Sequence, residues 1–178
     1  MLVRVCLLNQ RKEQKMNMLI IYDSTFGNTA QLARAMADRL GEHGTVRIAL
    51  ADEASLSEMK EIDLLIVGGP TQRHGLSPAM RDLLERLPRR TLRGAGAAAF
   101  DTRYHMAAWK SGSAAQRIAS KLKRTGASLL VEPESFFVAE REGPLEEGEL
   151  ERAARWAEGV FEQLEASRSV KQGKAEVR

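Results

Sequence analysis

A single cysteine, Cys6, occurs in 178 residues, so no disulfide can form within the chain. One thiol with no partner agrees with a reducing cytosol, and no reactive role is expected of it. No apolar run approaches the eighteen or more residues needed to cross a bilayer, so a membrane span is not expected. Leu2 to Leu8 is short and interrupted by Arg4, which does not make a signal-peptide core. Only three histidines are present, no His/Cys cluster has metal-ligand spacing, and no Ser-His-Asp arrangement is apparent. A soluble, cytoplasmic domain without a metal is the expectation. There is no internal repeat and no low-complexity tract.

An excess of one charge is also missing where it would matter. The formal charge is +3 with a pI near 9.2. Residues 1–17 carry four basic and one acidic residue, and residues 166–178 the same, which leaves the intervening core at −3. The basicity therefore sits in the tails, and nucleic-acid binding is not expected of the core. Arg86, Arg89, Arg90 and Arg93 form a local cluster that reads as a solvated helix end. Residues 1–17 are expected to be a disordered extension or a misassigned start, since Met16 and Met18 both precede the first convincing strand. Residues 18–165 form one domain, and 166–178 a basic, disordered tail.

What is present is organised around Met18 to Thr29. Leu19 to Tyr22 is a short apolar run that suits a central strand buried on both faces. Ser24, Thr25, Gly27, Asn28 and Thr29 then supply hydroxyls, an amide and a flexible backbone. From Thr29 onward, Leu32, Ala33, Met36, Ala37 and Leu40 recur at helical spacing. The turn thus lies at a helix N-terminus, where the backbone dipoles favour an anion. No lysine occurs between Lys15 and Lys60, so this is not a Walker-type loop, and the G-x-G-x-x-G fingerprint is absent. A site of neutral donors suits one terminal phosphate. A capped helix start with no ligand is the plainer alternative.

Strands alternate with helices along the rest of the chain. Val46, Ile48 and Leu50 alternate with Arg47 and Ala49, as on an edge strand, and Asp52 to Met59 makes a polar connection. Asp63 to Gly68 is a second buried strand, ending in GGPTQRHGLSP, eleven residues with three Gly and two Pro. A helical face follows at Ala79, Met80, Leu83, Leu84 and Leu87. Gly94 to Phe100 is a third buried strand of small residues, followed by a loop holding Asp101 to His105. A helix spans Ala114 to Thr125 and a strand Ala127 to Val131. Phe136 to Val138 continues the sheet after Pro133, and a last helix carries Leu150 to Leu164. Such alternation predicts an α/β doubly wound, five-stranded parallel sheet with helices on both faces. Three loops then meet at the carboxyl edge of the strands, where open parallel sheets bind ligands.

Those three loops, DSTFGNT, VGGPTQRHG and AAFDTRYH, resemble the FMN-binding loops of the flavodoxin family, and the likeness covers roughly Met18 to Leu164. The resemblance implies strand order 2-1-3-4-5 and FMN as cofactor. It implies that Ser24, Thr25, Gly27, Asn28 and Thr29 hold the phosphate, with Phe26 supporting the turn by packing. Pro70, Thr71, Gln72, Arg73, His74 and Gly75 would run past the flavin ring. Asp101, Thr102, Arg103 and Tyr104 would close the other side, Tyr104 as a possible stacking ring. In two respects the chain departs from many flavodoxins: the first ring loop has no aromatic residue, and the core is near neutral where many are strongly acidic. The implied function is electron transfer between redox partner proteins. A second reading on the same fold is an NAD(P)H-driven, FMN-dependent reductase of a quinone or other small acceptor, with Arg73, His74 and Tyr104 over the flavin. A third is a flavin-free regulatory or binding module. A signalling receiver would need clustered acidic residues at the first strand's end, where Asp23 stands alone. Trp109 is expected to pack under a long loop, and Trp156 in the core.

Overall fold

The computed structural model describes residues 15–72, 75–105 and 112–176, with side chains to residue 170. Cys6, the Leu2 to Leu8 segment, Arg73, His74 and Trp109 lie outside them. Among the described residues six strands and four helices follow one another: β1 (Met16–Tyr22), α1 (Asn28–Leu40), β2 (Gly44–Leu50), β3 (Leu64–Pro70), α2 (Pro78–Arg86), β4 (Gly96–Tyr104), α3 (Ala114–Arg124), β5 (Ser128–Leu129), β6 (Glu134–Val138) and α4 (Glu149–Glu176). All the strand pairings are parallel, in the order β2-β1-β3-β4-β5, with β6 also paired to β4.

Period-two alternation explains why both faces are covered. Leu19, Ile21, Leu65, Val67, Ala97 and Ala99 face one core, which α2 and α3 cover with Met80, Leu83, Leu84, Ile118 and Leu122. Met18, Ile20, Leu64, Ile66, Ala98 and Phe100 face the other, covered by α1 and α4 with Leu32, Met36, Ala157, Val160 and Leu164. Trp156 packs against this second core and meets Phe100 and Phe136 edge-on. At Gly68 a Cβ would stand 2.2 Å from Phe100 Cε1, so only glycine lets β3 pass that ring. β2 is the edge strand, and its Ile48 is exposed.

The fifth sheet position is filled by two pieces. β5 pairs with Gly96 and Ala97, and β6 with Phe100 to Tyr104. Pro133, which has no N–H to give the ladder, lies in the gap. The strand expected over Ala127 to Val131 is correspondingly short.

Three expectations need correction. β4 continues through Asp101, Thr102, Arg103 and Tyr104, which the sequence placed in a loop; pairing with β6 extends it, through Asp101↔Ser135 and Thr102↔Phe136. β1 starts at Met16, because Met16 and Asn17 pair with Gly44 and Thr45. The tail expected to be disordered from residue 166 is helical to Glu176. It contains no proline, and Arg168 anchors it to Asp63 and to Met16 Sδ.

Candidate functional site

Parallel strands place their following loops at one edge, and there a cleft of about 950 Å³ opens. Ser24, Thr25, Phe26, Asn28 and Thr29 line it from the first loop. Pro70, Thr71, Gln72 and Gly75 line it from the second, and Thr102, Arg103 and Tyr104 from β4.

Gly27 sits at the N-cap of α1 with φ +85°, the left-handed conformation glycine tolerates, and makes no side-chain cap bond to the helix. The backbone N–H groups of Thr25, Phe26, Gly27, Asn28 and Thr29 donate to no acceptor among the described residues. Five adjacent donors at the positive end of a thirteen-residue helix fit an oxyanion. The side chains around them are braced. Ser24 Oγ accepts from Ala30 N at 3.3 Å, and Thr25 Oγ1 accepts from Gln72 Nε2 at 2.9 Å. Each of those hydroxyls still has its own proton to donate. Asn28 Nδ2 donates to Glu142 O at 3.0 Å, and Thr29 Oγ1 lies 3.0 Å from Thr102 Oγ1, both buried. Asn28 and Thr29 therefore hold the loop in place through their side chains and offer a ligand their N–H groups.

The second loop is closed by reciprocal bonds between Gln72 and Gly75, at 3.0 and 2.8 Å. Thr71 N bonds to Thr102 O, and Thr71 Oγ1 both accepts from Ala114 N at 2.8 Å and donates to Asp101 Oδ2 at 2.9 Å. That carboxylate oxygen also accepts from Ser113 Oγ and Ala115 N, at 2.8 and 3.0 Å. Asp101 is 0% exposed. It points at the start of α3 and does not line the cleft, so its expected place beside a cofactor is corrected to that of a brace joining β4, Thr71 and α3. Arg103 Nε donates to Ser135 Oγ at 2.9 Å, 3.9 Å from Asp101 Oδ1. Phe26 is 47% exposed and lines the cleft. Its neighbours in the loop are held by polar contacts. Tyr104, 38% exposed, lies on the cleft wall with its ring accessible.

Several lining residues escaped the sequence reading. Arg81 is in the first turn of α2, Arg117 in the first turn of α3, and Val138 and Arg141 at and beyond the end of β6. With Arg103 they give the cleft four arginines and no carboxylate among the described residues. The acidic turn after β6 concealed Arg141, whose neighbour Glu142 carries the carbonyl that Asn28 grips. Position was its signal, because that turn also follows a parallel strand at the ligand edge. No group of described residues is arranged to hold a metal ion, and no described helix is long and apolar enough to cross a membrane.

Comparison with protein families matches residues 20–169 to Flavodoxin. No curated protein sequence matches the chain. Among solved structures, oxidised flavodoxin 1 from Bacillus cereus superposes with a TM-score of 0.70 at 20% identity, over 82% of this chain and 97% of that one. The Streptococcus pneumoniae TIGR4 flavodoxin gives 0.68 at 22% identity, over 83% and 99%. Rubredoxin oxygen:oxidoreductase from Desulfovibrio gigas gives 0.66 at 21% identity, over 90% of this chain and 41% of that longer one. At these identities the superpositions establish a shared fold.

Proposed function

The chain belongs to the flavodoxin family, whose members bind FMN and pass electrons between redox proteins, and from that premise we propose that it is an FMN-binding electron carrier. The observation that carries the reading is the row of five N–H donors from Thr25 to Thr29, unpaired among the described residues and opening into a cleft whose described lining has no carboxylate. Those N–H groups, with the hydroxyl protons of Ser24 and Thr25, would hold the phosphate. The segment Pro70 to Gly75 and the wall of Thr102, Arg103 and Tyr104 would flank the ring system. FMN, when bound, supplies reversible electron uptake and release. The chain's own groups bind, orient and shield, and none is required as an acid or base.

The test is the visible spectrum of purified protein after FMN is added and the excess removed, with riboflavin as the phosphate-free control. The parent is expected to retain close to one equivalent of FMN. Thr25→Asp, which sets a carboxylate against the phosphate, should weaken FMN at least tenfold while changing riboflavin far less. A colourless parent overturns the reading. Failure of the loaded protein to oxidise NAD(P)H unaided would separate a carrier from a reductase.

A further inference from the structure

The sign of the charge around the cleft says what kind of protein comes to it. We propose that the rim formed by Arg81 and Arg117, and continued by Arg141, is a docking face for an acidic redox protein. The proposal rests on the reading of the cleft as the site where electrons leave the chain.

All three side chains are exposed, and none has an ion-pair partner among the described residues. Some arginines elsewhere are paired, Arg39 with Glu42 and Glu158 and Arg152 with Glu134 and Glu149, while others, Arg34 and Arg124 among them, have no ion pair among the described residues. What sets the rim apart is its place at the mouth of a cleft whose described lining holds arginines and no carboxylate. Arg141 stands next to the first loop, because its neighbour Glu142 is bonded to Asn28, so a phosphate held by that loop would meet its charge. Arg81 and Arg117 project from α2 and α3, and the Arg117 side chain packs against Gly75, where a Cβ would lie 3.5 Å from Nε. They belong to the second and third connections and remain as surplus positive charge.

Local sign decides docking because a field is screened within about 8 Å at physiological salt. The −3 of residues 18–165 is thus no guide to the face a partner meets. A carboxylate-bearing surface would be steered to this rim, and a basic one repelled. Guanidinium groups also suit the task geometrically, since each can grip a carboxylate with two parallel bonds.

The experiment is a calorimetric titration of the full chain, FMN-loaded and FMN-free, with two defined proteins: an acidic plant-type ferredoxin and a basic mitochondrial cytochrome c. At about 0.01 M salt the ferredoxin should bind, and raising the salt to about 0.15 M should weaken it about tenfold or more. Arg81→Glu/Arg117→Glu should abolish that binding and create affinity for the cytochrome. Arg81→Lys/Arg117→Lys should keep most of it, and thermal melts of all variants confirm that the fold is intact. Preference of the parent for the cytochrome, or ferredoxin binding unchanged by charge reversal, overturns the proposal. So does a third outcome, in which ferricyanide oxidises the reduced protein with the same arginine dependence while ferredoxin does not bind, because the rim then serves small anions. Flavin retention is scored separately by its visible bands, so failure of the cofactor reading leaves the titrations of the FMN-free chain readable.

Discussion

Thr29 Oγ1 and Thr102 Oγ1 lie 3.0 Å apart in the buried wall of the cleft, although 73 positions separate them in the chain. One belongs to the first turn of α1 and the other to the end of β4, so this bond sets the spacing between the phosphate-type loop and the opposite wall. Replacing either by valine leaves the surviving hydroxyl buried without its partner, at a cost of about 1–2 kcal/mol. Thr29→Val/Thr102→Val removes both polar groups and should cost less than the two single changes added together. Chemical denaturation of the four proteins checks this, and additive effects would show that the two hydroxyls do not interact.

Gly68 is a backbone position with no room for a side chain. Three atoms of the Phe100 ring would lie 2.2–2.4 Å from an added Cβ, and Phe100 is itself fully buried against Phe136 and Trp156. Neither partner has room to give way. Gly68→Ala should lose about 3 kcal/mol or more, appearing as a large fall in melting temperature. Gly68→Ala/Phe100→Leu, with a smaller side chain opposite, should recover part of that loss.

The same contrast between local pattern and distant contact separates what could be read in the sequence from what could not. Leu19 to Tyr22, Asp63 to Gly68 and Ser24 to Thr29 announce themselves, because buried parallel strands are continuous apolar runs and a strand-to-helix turn is dense in small polar residues. Strand order followed from the resemblance those loops carry. Asp101 was misplaced because its surroundings are nonlocal: pairing with β3 on one side and β6 on the other keeps β4 extended there, and Ser113, Ala115 and Thr71 come from elsewhere. Phe26, standing where a hydroxyl residue is often found, read as a packing residue, and its exposure on the cleft wall depends on the fold rather than on the loop's own sequence. Arg81 and Arg117 sit at exposed positions of amphipathic helices, where an arginine is unremarkable until the helix start is known to open on the cleft.

Acid should loosen the far side of the sheet at Glu149. Burial works to raise the pKa of this carboxyl, but hydrogen bonds from Arg152 and from Phe137 N, at 2.7 and 2.6 Å, outweigh it and leave it below the ordinary 4.5. A group whose pKa is lower when folded stabilises the protein above its unfolded pKa and loses that contribution as pH falls through the folded value. Stability measured by urea midpoint should therefore decline from pH 5 downwards. Glu149→Gln should lower stability by about 2 kcal/mol at neutral pH and flatten that decline. An unchanged acid slope in the variant would assign the loss to other carboxylates.

The helical tail makes the opposite prediction, of a small effect. Arg168 joins α4 to Asp63 and lies 2.8 Å from Met16 Sδ, which ties the last helix to the start of β1. Asp63 Oδ2 also accepts from Asn17 N at 2.7 Å, so its carboxylate keeps one partner when Arg168 is gone. Both members of the ion pair are partly exposed, at 37% and 26%, and a pair in that setting contributes at most about 1 kcal/mol. Deletion of residues 167–178 should therefore shift the urea midpoint only slightly, by an amount that shrinks with added salt. FMN retention should not change, because the cleft lies at the carboxyl ends of the strands, whereas Met16, Asn17 and Asp63 lie at or just before the amino ends of β1 and β3. A loss of flavin on deletion would mean that the anchoring of β1 by Arg168 is transmitted along the strand to Ser24 and Thr25.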